Sequence, residues 1–324
     1  VIGCLRWLPF GSYLEMQGIL EMPCKTVQSV KKWKAFWKCH PLTDSRTKRD
    51  DEATNLSLQN KKQKLMENKI NKTRYFLELA YDGATFVGWQ VQPNKTTVQS
   101  TIDHALSTIF NEPIQSVGCG RTDSGVHASK FFLHFEATKP MPNKIVFRLN
   151  SFLPKTIAIY RIFQSGKHAR YDATYRAYDY FIHFDKNPFL ETHSFFFRWL
   201  PLDFEKMRQA AMFLPNYLEF APFEKSKSDS KTSICHIYKS QLTIDEQAGR
   251  MHYHIAANRF LRGMVRRVVG ALLMVGKEKI SLQEFQEVLQ TQGSFNINKS
   301  APAQGLYLCE VRYDDFCWVN WHGL

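Results

Sequence analysis

The stretch GCGRTDSGVHA, residues 118–128, sets one carboxylate, Asp123, two positions from one guanidinium, Arg121, among three glycines. Glycine tolerates positive φ and lets bulky groups approach the main chain, so such a loop presents its side chains outward. In an extended segment residues two apart share a face, which puts Arg121 beside Asp123 and predicts that the guanidinium keeps the carboxylate ionised. A positioned carboxylate can serve as nucleophile, general base or cation ligand. The same pair can equally be a turn stabilised by an ion pair. A phosphate-cradling loop is excluded, because GxxxxGK[ST] is missing and Asp123 would set negative charge where phosphate sits. Calcium would need more oxygen ligands than the stretch supplies. Ser124 is expected to donate a hydrogen bond to the carboxylate and slightly lower its nucleophilicity.

Other residue types with chemical potential are more scattered. His252 and His254 share a strand face and could ligate a metal, but no third ligand lies near them in sequence, so no metal is expected. Cys4, Cys24, Cys39, Cys119, Cys235, Cys309 and Cys317 never form a CxxC pair, which argues against a disulfide framework or a cysteine zinc site and fits a reducing cytoplasm. His127 and His168 read as residues satisfying local backbone groups. A helix over LRGMVRRVVGALLMVG, residues 261–276, would align Arg259, Arg262 and Arg266 on one face and Met264, Val268, Leu272 and Val275 on another.

The elements that must position these residues begin near residue 73. TRYFLELAYDG reads as a strand ending in an Asp-Gly turn, and TVQSTIDHALSTIF spaces Val98, Ile102, Ala105, Leu106 and Ile109 as a helix. KFFLHFEA, KTIAIYRIF, TYRAYDYFIHF, SFFFRWL, SICHIYKSQLTI, RMHYHIAANRF and GLYLCEVRY read as strands. Asp203 caps a helix reaching Leu214, and a capping box at Ser281 and Glu284 opens another. Strands dominate with helices between them. The prediction is an α+β fold: two similar, ferredoxin-like halves, residues 73–185 and 186–324, sharing a central mainly antiparallel β-sheet with helices packed outside.

Residues 1–72 differ. They hold 14 of the 43 basic and 7 of the 30 acidic residues, so about half of the net charge of +13 sits in this extension. Its later part is polar and charge-mixed, too poor in large apolar groups to offset ordering entropy, and is expected to be disordered. Trp33, Phe36 and Trp37 among lysines could form a short basic amphipathic helix. Met66, just before the first strand, reads as the natural start, with residues 1–65 as upstream sequence. No apolar run approaches the roughly 18–20 residues of a membrane span, and Arg6 and Glu15 interrupt the N-terminal segment, so a soluble, cytoplasmic protein is expected.

GCGRTDSGVHA closely resembles the catalytic motif of the tRNA pseudouridine synthase A family, usually GAGRTDAGVHA. Further stretches match in the family's order: YDGATFVGWQVQP, TVQSTIDHAL, RLNSFLP, HARYDATYRAYDYFI, NRFLRGMVRRVVGALLMVG and GLYL. The resemblance runs from about Arg74 to about Tyr313. It implies a tRNA isomerase without cofactors that converts uridines of the anticodon arm, at tRNA positions 38, 39 and 40, to pseudouridine, and works as a homodimer on tRNA. It implies Asp123 as the catalytic aspartate, Arg121 as the residue displacing the target nucleotide, Tyr178 stacking on the uracil, Arg266 pairing with the catalytic carboxylate, and Leu306 lining the base pocket. Arg259 and Arg262 then read as phosphate contacts, against the alternative of a solvated charged face. The segment EFAPFEKSKSDSKTSICHI could be a mobile basic loop over the RNA or a plain surface loop. Two other classes compete: a non-catalytic RNA-binding protein of the same fold, and an aspartate-dependent glycosidic hydrolase, which would ordinarily use a second carboxylate.

Overall fold

The computed structural model describes residues 72–198, 201–225, 232–295 and 300–314, and the backbone of 319–322. The N-terminal extension up to residue 71, with its Trp33–Trp37 segment, and residues 226–231 of the basic loop lie outside the described residues.

The first half runs β1 (Thr73–Tyr81), α1 (Val98–Phe110), β2 (Val117–Gly118), β3 (His127–Ala137), α2 (Ile145–Phe152) and β4 (Ile157–Gln164). Helix α1 starts where a side chain can satisfy its free amides: Thr97 Oγ1 accepts from Ser100 N–H at 3.2 Å, and Ser100 Oγ accepts from Thr97 N–H at 3.1 Å. Its apolar stripe, Val98, Ile102, Ala105, Leu106 and Phe110, is buried. The sequence reading marked no helix over α2.

The second half runs β5 (Ala173–His183), β6 (Phe195–Phe196), α3 (Phe204–Phe213), β7 (Ile237–Asp245), β8 (Arg250–Ala257), α4 (Met264–Gly276), α5 (Leu282–Thr291) and β9 (Leu306–Tyr313), followed by β10 (Val319–His322). The expected caps are present: Asp203 Oδ1 accepts from Lys206 N–H at 2.9 Å, and Ser281 and Glu284 form a reciprocal capping box. Among its described residues SFFFRWL contributes the two residues of β6, and β10 was not anticipated.

The strands form one sheet in the order β10-β4-β1-β3-β9-β5-β8-β7, with β2 added to β3 and β6 to β5. Each half therefore repeats one arrangement, its first strand lying between its third and fourth: β4-β1-β3-β2 and β9-β5-β8-β7. This is the expected α+β fold of two ferredoxin-like halves on a mainly antiparallel sheet. In the first half the second strand has shrunk to two residues, Val117 and Gly118, pairing with His134 and Leu133. The vacated edge of β3 is taken by β9, which pairs with it in parallel through His127–Tyr307 and Ala128–Leu308. That short pairing is the seam between the halves, and residues 118–128 lead straight into it.

Two hydrophobic cores flank the seam. One gathers α1 and α2 against β1, β3 and β4; the other gathers α3, α4 and α5 against β5, β7 and β8. Leu306 and Leu308, on one face of β9, enter the second and the first core respectively, and Tyr178 packs partly against both.

Candidate active site

The loop from β2 to β3 is shaped by its neighbours before any side chain is placed. A Cβ on Gly118 would lie 2.6 Å from the Trp89 ring and 2.8 Å from the Phe131 ring, so only glycine fits under that stacked pair. Gly125 takes φ +77°, the left-handed turn that reverses the chain into β3. The YDGATFVGW segment wraps the loop from outside. Trp89 N–H donates to Thr122 O at 3.2 Å, the Tyr81 hydroxyl bonds Thr122 Oγ1 at 2.8 Å, and Gly125 N–H reaches Phe86 O at 3.4 Å. Ser124 Oγ donates to Phe86 O at 3.3 Å. Its hydroxyl is thereby directed to the backbone and not, as expected, to the neighbouring carboxylate.

Asp123 is half-buried, and its partner comes from the other half of the chain. Arg266, in the first turn of α4, donates from Nη1 to Asp123 Oδ2 at 2.9 Å and from Nε to Ala301 O at 2.7 Å. Ala301 N–H returns a bond to the Arg266 backbone carbonyl at 2.8 Å, which docks residue 301 on α4 while the guanidinium is held between Asp123 Oδ2 and Ala301 O. Asp123 Oδ1 accepts no hydrogen bond among the described residues: one oxygen is held and the other is offered. Arg121 is exposed and makes no ion pair or hydrogen bond among the described residues. The expected Arg121–Asp123 pair does not form, because residues 119–123 are loop and not strand, and strand alternation does not govern which way they point.

Tyr178 projects from β5 on the same side. Its ring meets Phe260 edge to face at 5.2 Å and 87°. Burial pushes its phenol up, and the neighbouring Cys119 and Asp123 add to the shift against the opposing effect of Arg176. The Tyr178 hydroxyl has no hydrogen-bond partner among the described residues. Leu306, buried at the start of β9, lies opposite Tyr180 on the strand that closes the seam. Asp123, Arg266 and Tyr178 are thus brought together from the two halves, while Arg121 stands outside the group.

Arg259 and Arg262 are not on the helical face expected for them. Gly263 has φ +68°, so α4 begins at Met264 and both arginines lie in the loop before it. Arg259 is half-buried and Arg262 exposed, with Arg262 O accepting from Lys225 N–H at 2.9 Å.

A family model described as tRNA pseudouridine synthase matches residues 219–314. The chain is 41% identical over 245 residues to tRNA pseudouridine synthase A of Porphyromonas gingivalis, covering 74% of this chain and 97% of the relative. It is 40% identical over 244 residues to the protein of that name from Bacteroides fragilis, covering 74% of this chain and 96% of the relative. The same-named Bacteroides thetaiotaomicron protein is 40% identical over 246 residues, covering 75% of this chain and 91% of the relative. This chain belongs to the tRNA pseudouridine synthase A family.

In this family member one residue that sequence reasoning passed over ties the site together. The Arg176 guanidinium, on the Tyr178 side of β5, donates to four backbone carbonyls: Cys119 O (3.1 and 3.3 Å), Arg170 O (2.7 Å), Ala173 O and Asn258 O (both 2.9 Å). It joins the aspartate loop, the 165–172 loop and the segment carrying Arg259 to one strand. The available signal was its place two residues before Tyr178, on the same strand face. Arg170 was also missed. It is exposed, and after burial the fields of Arg121, Arg176 and Arg259 pull its guanidinium down, so these cations crowd one another beside the aspartate loop.

Proposed function

We propose that this chain isomerises uridine to pseudouridine in tRNA, with Asp123 as the catalytic residue. The observation that carries the reading is the carboxylate held through one oxygen by Arg266 at 2.9 Å, with its other oxygen unpartnered beside Tyr178. The reaction breaks the bond from N1 of uracil to C1′ of ribose, turns the base and joins C5 to C1′. No electron or outside group enters or leaves. A carboxylate serves it by attacking C1′, by taking a sugar proton or by stabilising an oxocarbenium-like centre. Each route needs an oxygen fixed in direction and open to the sugar.

A uridine stacked in a helix must first be extruded, at a cost of a few kcal/mol. Arg121, exposed and unpaired, suits the space left behind; Tyr178 offers an aromatic face with a free hydroxyl, and Leu306 an apolar wall. Arg259 and Arg262, with Arg170, would meet phosphates as the cationic approach to the loop. From the resemblance, the substrate positions are 38, 39 and 40 of the anticodon arm, and the enzyme is a cytoplasmic homodimer. Its first ferredoxin-like half, β1 to β4, supplies the aspartate loop, and the second, which begins with β5 at Ala173 and so before the expected boundary at residue 185, completes the cleft with residues 186–324. No helix among the described residues is long and apolar enough to cross a membrane.

Incubating wild type and Asp123→Asn with unmodified tRNA and mapping pseudouridine by position tests the reading. Wild type is expected to modify the anticodon arm and the variant to be inactive. Free uracil among the products would indicate a hydrolase, and RNA binding without any product would indicate a binding protein.

A further inference from the structure

The sheet face opposite Tyr178 carries two clusters of one carboxylate and two imidazoles, Asp82 with His127 and His193, and Asp179 with His252 and His254. The two differ in what their nitrogens already do. In the first, His127 Nδ1 accepts from Gly83 N–H at 3.1 Å and its Nε2 bonds Thr192 O at 2.9 Å, so both ring nitrogens are committed to backbone groups. In the second, His252 Nε2 lies 2.8 Å and His254 Nδ1 2.7 Å from the same oxygen, Asp179 Oδ1. The other nitrogens of these rings, His252 Nδ1 and His254 Nε2, have no hydrogen-bond partner among the described residues.

We propose that Asp179, His252 and His254 bind a divalent transition-metal ion, zinc by the chemistry of its ligands, with water as the fourth donor. Two imidazoles and a carboxylate are donor types that zinc takes in sites that keep a water ligand. They come from two adjacent strands: the histidines lie two residues apart on β8, and Asp179 lies opposite His254 on β5.

Zinc at about 2.0–2.1 Å from each donor needs them roughly 3.3 Å apart, so each imidazole nitrogen, now 2.8 or 2.7 Å from Asp179 Oδ1, would draw back by about half an ångström, and the two nitrogens already lie within 4.8 Å of each other. Each imidazole would ligate through the nitrogen that now faces Asp179 and carry its single proton on the other, a tautomer shift through solvent with no net proton release. His252 stacks on Phe181 at 4.9 Å and 12°, which fixes its ring plane, and its side chain is 39% exposed, so the ion has a path from solvent. Bound there, the ion would cross-link β5 and β8 directly behind Tyr178.

The test uses the full chain stripped with chelator, incubated with micromolar zinc chloride, desalted and assayed for metal by atomic emission. Wild type is expected to retain one zinc more per chain than the double variant His252→Gln, His254→Gln, and to show an unfolding midpoint that rises with zinc only in wild type. His193→Gln, in the other cluster, should retain zinc like wild type. Cobalt chloride added to stripped wild type should give the visible bands of a tetrahedral ion, and the double variant should not. Equal zinc in wild type and the double variant, or none in wild type, overturns the proposal. Circular dichroism of the double variant checks its fold, and should it fail to fold, the single variant His252→Gln is expected to weaken retention at least tenfold, with unchanged retention overturning the site.

Discussion

Replacing Arg176 separates its role from that of the chemical groups beside it. Its guanidinium makes five hydrogen bonds to four carbonyls, and among the described residues no carboxylate pairs with it. A charged donor to a carbonyl contributes on the order of 1.5–3 kcal/mol when its loss leaves the acceptor unsatisfied. The Arg170 carbonyl is exposed and water will replace that bond, and the remaining losses are not additive. Counting roughly 1 kcal/mol for each of the three less exposed carbonyls and a little for the buried stem, Arg176→Met should lose about 3–4 kcal/mol. Arg176→Lys, whose single ammonium cannot reach every carbonyl, should lose about half as much. Urea unfolding with an unchanged m-value measures both. The Cys119 and Asn258 carbonyls flank the aspartate loop and the Arg259 segment, so kcat/KM for tRNA should fall at least tenfold in the methionine variant although Asp123 and Arg266 are untouched. A methionine variant within 0.5 kcal/mol of wild type, with full activity, would refute the idea that this guanidinium holds the loops together.

Two further outcomes are expected. Burial raises Asp103 to about 6, although its carboxylate accepts from Ser116 N–H (3.0 Å) and Oγ (2.5 Å), and burial lowers His134 to about 4. The Asp103 contribution is complete below pH 4 and is lost as pH rises through 6, whereas that of His134 is complete above pH 6.5 and lost as pH falls through 4; each amounts to roughly 3 kcal/mol. The two oppose each other in the same window, so Asp103→Asn should make unfolding free energy rise more steeply from pH 4 to 6.5 than in wild type, and an unaltered slope would count against the buried acid. Separately, Arg170→Ala and Arg259→Ala should each weaken tRNA binding and reduce its salt slope by about 1, leaving single-turnover chemistry largely unchanged at saturating enzyme; an unchanged slope would place these cations away from phosphate.

The sequence alone determined what depends on neighbours along the chain. The caps at Asp203 and Ser281, the strand periodicities and the α+β class follow from residues within a turn or a strand of one another. The aspartate loop, too, was recognisable as a contiguous string. Tertiary structure decided which groups meet across long separations. Asp123 is paired by Arg266, 143 positions away, as the family resemblance implied and local spacing did not, and not by Arg121 two positions away, because the loop is non-repetitive and the β3–β9 seam brings α4 over it. The boundary of α4 escaped the reading because hydrophobic spacing continues smoothly through Gly263, while the left-handed φ of that one residue ends the helix and leaves Arg259 and Arg262 in a loop. His252 and His254 gained the third ligand that linear spacing lacked when β5 aligned Asp179 opposite them. Local propensity acts over a few residues, but a site is assembled by strand register and by buried guanidinium groups collecting distant carbonyls, and those are set only when the whole sheet closes.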